Sequence, residues 1–116
     1  MTNKLSQWEI CVHDTKRASK FFEELFGWKP AVPENQDFWE KFYDTGKVSG
    51  GITQSYEGMP NYLTLFFEVD NAQAYVDKAV SLGGTKIIDA IEIPGYCFYS
   101  MFVDPDGNPI GLLQRI

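Results

Sequence analysis

The chain has 116 residues and a formal net charge of −6, with 44% hydrophobic and 16% aromatic residues. That apolar share supports one packed domain and excludes a disordered chain. The acidic balance, with its lysines and arginines scattered rather than clustered, excludes a surface built to neutralise nucleic-acid phosphates.

The opening "MTNKLSQWEI" lacks the basic start and apolar run of a secretion signal, and no stretch approaches the 18 apolar residues of a membrane span. A cytoplasmic protein that touches neither membrane nor nucleic acid is the expectation. The first strand is predicted over 5–12, with Trp8, Ile10 and Val12 on one face and Gln7, Glu9 and Cys11 on the other. Asp14 can cap a helix whose apolar stripe is Ala18, Phe21, Phe22 and Leu25, ending at Gly27. Residues 28–33 suit only an edge strand, because Pro30 and Pro33 cannot donate to a ladder. Further strands are predicted near 36–44 and 48–56, and "SYEGMPNY" (55–62) is read as a mobile joining loop.

The second half repeats the first. In 62–69, Leu63, Leu65, Phe67 and Val69 oppose Thr64, Phe66 and Glu68. Asp70 or Asn71 can cap a helix with Ala72, Tyr75, Val76 and Ala79 as its stripe before Gly83. Strands follow near 85–91, 96–103 and 109–114. Asp14 and Gly27 have counterparts in Asp70 and Gly83 at one offset, and Asp44 and Gly51 in Asp104 and Gly111 at a second. In "VDPDGNPIGLLQ" (103–114), Pro105, Asp106 and Gly107 make a tight reversal, with Gly107 free to take a positive φ.

Two strand–helix–strand–strand–strand modules, 5–56 and 61–115 within a single domain 1–116, are therefore expected. The fold class is α+β. Each helix is predicted to cover the more apolar face of its sheet, leaving the mixed faces to curve into a cup. Gln7, Glu9, Thr64, Phe66 and Glu68 would line it, with Cys97, Tyr99 and Met101 added by counting back in twos from the last turn.

The paired units, together with "FFEELFGW", "GGI", "LGG", "IPG" and "DPDGN", resemble the glyoxalase/bleomycin-resistance/dioxygenase superfamily, also called vicinal oxygen chelate, over nearly the whole chain. The resemblance is closest to small bacterial glyoxalase-like proteins related to lactoylglutathione lyase. It implies that metal-dependent members take one ligand from each of four strands, usually histidine or glutamate. By register those positions are Gln7, Gly51, Thr64 and Gly111 here. Glycine offers no side chain, and glutamine and threonine are weak neutral donors, so no metal or other cofactor is expected. The sole histidine, His13, is read as a surface residue beside the helix cap.

Two carboxylates remain in the expected cup. Glu9 and Glu68, set among Phe66, Tyr99 and Met101, could serve as general acid or base, or attract a cationic ligand as in the family's metal-free drug-sequestering branch. Alternatively either is solvated at the rim or paired with Arg115 or a lysine. Cys11 and Cys97 fit neither a zinc spacing nor a disulfide framework and are read as small core residues in a reducing compartment. Trp28, Phe38, Trp39, Phe42 and Tyr43 are read as core or dimer interface.

The expected function is binding of a small organic molecule in a metal-free cup, with Gln7, Thr64, Phe66, Tyr99 and Met101 as ligand contacts. The alternative is a metal-independent lyase or isomerase using Glu9 or Glu68 as general base. A metal-dependent glyoxalase or dioxygenase would need ligands the sequence lacks. A homodimer is the expected assembly, because the resemblance implies one and the chain has more aromatics than a core of this size needs.

Overall fold

The computed structural model describes residues 3–31 and 39–116. In chain order the elements are β1 (Leu5–Val12), α1 (Thr15–Phe26), β2 (Pro30–Ala31), β3 (Lys41–Tyr43), β4 (Ser49–Gln54), β5 (Tyr62–Glu68), α2 (Ala72–Ser81), β6 (Thr85–Ile93), β7 (Cys97–Val103) and β8 (Pro109–Arg115). The expected β-α-β-β-β order thus occurs twice. The expected strand near 36–44 is present as β3 where it is described; its earlier part, Pro33 and Phe38 lie outside the described residues. Contacts divide the chain into two compact units, Trp8–Leu63 and Met1–Gln7 with Thr64–Ile116.

In the unit Trp8–Leu63, β3 lies between β2 and β4 with antiparallel pairing on both sides. α1 starts where the Asp14 side chain accepts the Arg17 amide, and ends where Gly27 takes φ 71°. Trp28 sets how the helix is rotated. Its ring centroid lies 5.2 Å from Trp8, 5.8 Å from Phe22, 4.9 Å from Phe26 and 5.1 Å from Tyr43. Drawing Phe22 inward turns Ala18, Ser19 and Phe22 toward the protein and leaves Phe21 and Leu25 exposed. The expected stripe is corrected accordingly: Phe21 and Leu25 are not core residues.

In the other unit the strand order is β5-β8-β7-β6, parallel between β5 and β8 and antiparallel elsewhere. α2 begins at Asn71, whose side chain accepts the Ala74 amide, so the cap is Asn71 rather than Asp70. The helix lies over β6, β7 and β8. Its Ala72 and Val76 form a core with Val69 and Leu112, against which Tyr75, Ala90, Phe98 and Phe102 pack. Leu63 and Leu65 are exposed instead of covered, while Thr64 and Phe66 are buried. The helix-covered face expected for β5 is corrected on this point.

The repeat extends to the turns. Asp44 accepts the Gly46 amide and Asp104 the Asp106 amide, the same two-residue side-chain turn in each half. Gly107 takes φ 92°, closing the reversal that starts β8.

Candidate functional site

Glu9 is the most deeply placed carboxyl group among the described residues. It lies on the β1 face that alternation buries along with Gln7 and Cys11, while Trp8 turns the other way to meet Trp28. Only 4% of Glu9 is exposed. Loss of water disfavours the ionised form and raises the carboxyl from 4.5 to about 7, with a hydrogen bond from Tyr62 opposing the rise. The Tyr62 hydroxyl is itself held well above its ordinary value, first by burial, then by its hydrogen bond with Cys11 and the nearby charge of Glu9. The three side chains form one cluster within the unit Trp8–Leu63, with Glu9 and Cys11 buried and Tyr62 half-buried.

This cluster can hold and move a proton. When Glu9 is ionised, the single phenolic proton of Tyr62 is directed to the carboxylate, and the Cys11 thiol is left facing the phenol oxygen. When Glu9 is protonated it becomes a neutral acid that can donate at ordinary pH. The sequence reading singled out Glu9 and Cys11 but not Tyr62. The signal was present, because Tyr62 lies two residues before Thr64 on one strand and so shares its side.

The remaining expected site residues lie in the other unit. Phe66 is 1% exposed, its ring stands over the backbone of Gly111, and Tyr99 meets it edge-on at 6.4 Å. Met101 pairs with Gly111 across β7 and β8 and is buried. Thr64 is buried with its hydroxyl donating to the Pro109 carbonyl at 2.6 Å. The Tyr96 hydroxyl donates to Gln7 Oε1 at 3.4 Å. Glu68 is engaged by Arg115 at 3.6 Å and is partly exposed, so the two expected carboxylates occupy different environments. Cys97 is buried in this unit, and neither cysteine is in a disulfide.

A separate groove of about 250 Å³ lies at the start of α1, lined by Val12, Asp14, Arg17, Ala18, Phe21 and Asn61. It includes none of the Glu9 cluster. Beside it, exposed His13 donates its backbone amide to Asn61 Oδ1, and its ring nitrogen meets the Met59 carbonyl.

A family model for the glyoxalase-like domain matches residues 9–113. The chain belongs to the glyoxalase-like domain family. It is 32% identical over 108 residues to CFP32 of Mycobacterium tuberculosis (strain CDC 1551 / Oshkosh), provisionally named a glyoxylase, covering 87% of this chain and 41% of that protein. The chain thus spans well under half the length of this relative. A glyoxylase-like domain-containing protein of Didymella fabae is 28% identical over 120 residues, covering 97% of this chain and 94% of its own. Among solved structures, a glyoxalase/bleomycin resistance protein/dioxygenase superfamily member from Vibrio splendidus 12B01 matches with a TM-score of 0.63 at 14% identity, covering 97% and 99% of the two chains. That match shows the shared fold.

The metal that some superfamily members use finds no fitting donor set at the equivalent positions of this glyoxalase-like domain. A Cβ added at Gly111 would lie 2.4–2.7 Å from the Phe66 ring, and one at Gly51 would lie 2.1 Å from the Lys41 carbonyl oxygen. Neither position has room for a side chain, let alone a carboxylate. Thr64 has committed its hydroxyl proton to Pro109, and Gln7 offers only a neutral amide. Among the described residues no cluster of three or more His, Cys, Asp or Glu side chains is placed to hold a metal ion.

Proposed function

We propose that this glyoxalase-like domain binds a small organic molecule without a metal and exchanges a proton with it through Glu9, as a metal-independent isomerase or lyase does. The supporting observation is the Glu9 carboxyl itself, buried, hydrogen-bonded by Tyr62 and raised to about 7. A general acid–base group works best with a pKa near the working pH, and an ordinary carboxylate is too acidic for that role. Tyr62 keeps the carboxyl oriented and supplies a second polar group within hydrogen-bond reach. Glu68, paired with Arg115, lacks that environment and is left out of the proton-transfer role.

The family's name and the fold support a small-molecule ligand; the chemistry assigned to Glu9 is our reading, because one scaffold carries many activities. Two buried cysteines outside any disulfide support a reducing, cytoplasmic setting. The reading is tested by solvent-deuterium exchange. Chelator-treated protein is incubated in deuterated buffer with the hemithioacetal of methylglyoxal and glutathione, and with simple α-hydroxy ketones, and carbon-bound deuterium is followed by NMR. Incorporation that disappears in Glu9→Gln while the fold persists is expected. Incorporation that is absent from the parent, or unchanged in Glu9→Gln, refutes the assignment.

A further inference from the structure

Gln7 is held in an orientation that leaves half of its amide unused. The residue lies on the buried face of β1 and is 5% exposed. Its Oε1 accepts from the Tyr96 hydroxyl at 3.4 Å, and its Nε2 has no hydrogen-bond partner. Among the described residues it is the one buried side-chain nitrogen or oxygen in that condition. Other buried polar side chains have partners: Thr64 donates to Pro109, Ser19 to the Lys16 carbonyl, Ser100 to the Ala72 carbonyl, and Glu9 bonds to Tyr62.

The phenol that Gln7 Oε1 meets is itself braced. The Arg115 guanidinium carbon sits 5.5 Å from the centre of the Tyr96 ring, and the same side chain is anchored by Glu68 at 3.6 Å and by Ser6 Oγ at 3.4 Å. Glu68, Arg115 and Tyr96 form a brace that ends on Gln7 Oε1. All of these residues lie in the unit that contains Gln7. A buried donor left unpaired is destabilising, so a glutamine fixed this way is costly unless an acceptor arrives. Leucine or methionine would fill a similar volume without that cost.

We infer that Gln7 is a ligand-binding residue, donating an Nε2–H bond to the carbonyl oxygen of a small neutral molecule. The class follows from charge and chemistry. The free group is a donor, so the ligand presents an acceptor. It is uncharged, so it gives no ion pair to a carboxylate or phosphate, and the net charge of −6 disfavours an anion further. The buried residues of the same unit are largely apolar, Phe66, Cys97, Met101 and Leu113 among them. An aldehyde, ketone, amide or thioester meets these conditions. This inference rests on the small-molecule reading above but not on proton transfer by Glu9.

The test uses the full chain and a panel of neutral probes: acetone, cyclohexanone, acetophenone and N-methylacetamide, with ethylbenzene as the carbonyl-free counterpart of acetophenone. Nitrogen-15 NMR follows the Gln7 side-chain amide, and the same titrations give dissociation constants for the parent and Gln7→Leu. Expected is a downfield shift of one Gln7 amide proton with at least one carbonyl probe. The affinity of that probe should fall about tenfold in Gln7→Leu, while ethylbenzene responds equally to both proteins. The melting temperature of Gln7→Leu should stay close to the parent's, because loss of the unpaired donor offsets loss of the bond from Tyr96; a purely structural role would lower it and leave carbonyl affinity unchanged. No shift with any probe, or equal carbonyl affinity in both proteins, overturns the inference. Carbonyl binding through Gln7 with no deuterium exchange would retain this site and reject only the role of Glu9.

Discussion

A glutamate that is 4% exposed and holds its proton to about pH 7 makes the stability of its protein depend on pH in a defined direction. The folded value lies above the ordinary 4.5, so folding favours the protonated form. The stability linked to Glu9 is therefore fully present below pH 4.5 and is lost progressively as pH rises to about 7. The span corresponds to about 3 kcal/mol at most, one unit being about 1.4 kcal/mol. Glu9→Gln keeps the shape and fixes the neutral form. The variant should match the parent in stability at pH 5 and exceed it at pH 8 by about 1–3 kcal/mol, read by urea denaturation at both values. A variant less stable than the parent at pH 8 would show that the ionised carboxylate is itself stabilising. Glu9 could be singled out from the sequence because period-two alternation placed it among apolar neighbours. Its degree of burial and its bond to Tyr62 were not legible, because they depend on how residues 9 and 62, far apart in the chain, come together.

Elements were legible wherever the sequence carries a mechanism. The Asp14 cap, the end of α1 at Gly27 and the reversal at Gly107 each rest on local chemistry, and each occurs as expected. Faces were less legible. The apolar count placed Leu63 and Leu65 under a helix, but both are exposed. Likewise, aromatic contacts with Trp28 rotate α1 and expose Phe21 and Leu25. Such choices are made by packing between elements, which local periodicity does not encode. The glycine in β8 has a physical reason that only the structure supplies. Gly111 stands where Phe66 from the parallel neighbour β5 lays its ring, 2.4 Å from where a Cβ would be. Gly111→Ala should therefore cost about 1–3 kcal/mol by overpacking, and pairing it with Phe66→Leu should recover part of the loss. Thermal denaturation of the two single variants and the double variant checks this; strictly additive losses would mean that the ring does not fill the glycine's space.

At the scale of the whole molecule, the chain carries an acidic surface, with an isoelectric point near 4.6, around a carboxyl group that stays protonated far above that value. Burial is the main cause of that separation, and the hydrogen bond from Tyr62 limits it. Membership of the glyoxalase-like family sets the fold, and at Gly51 and Gly111 a Cβ would crowd its neighbours. Glu9 then becomes the group on which the functional reading depends. The direct measurement is a carbon-13 NMR titration of the Glu9 side-chain carboxyl in the intact protein, assigned by comparison with Glu9→Gln. The account predicts a midpoint near pH 7, moving upward in Tyr62→Phe as the opposing hydrogen bond is removed. A midpoint near 4.5, unmoved by that substitution, would contradict it.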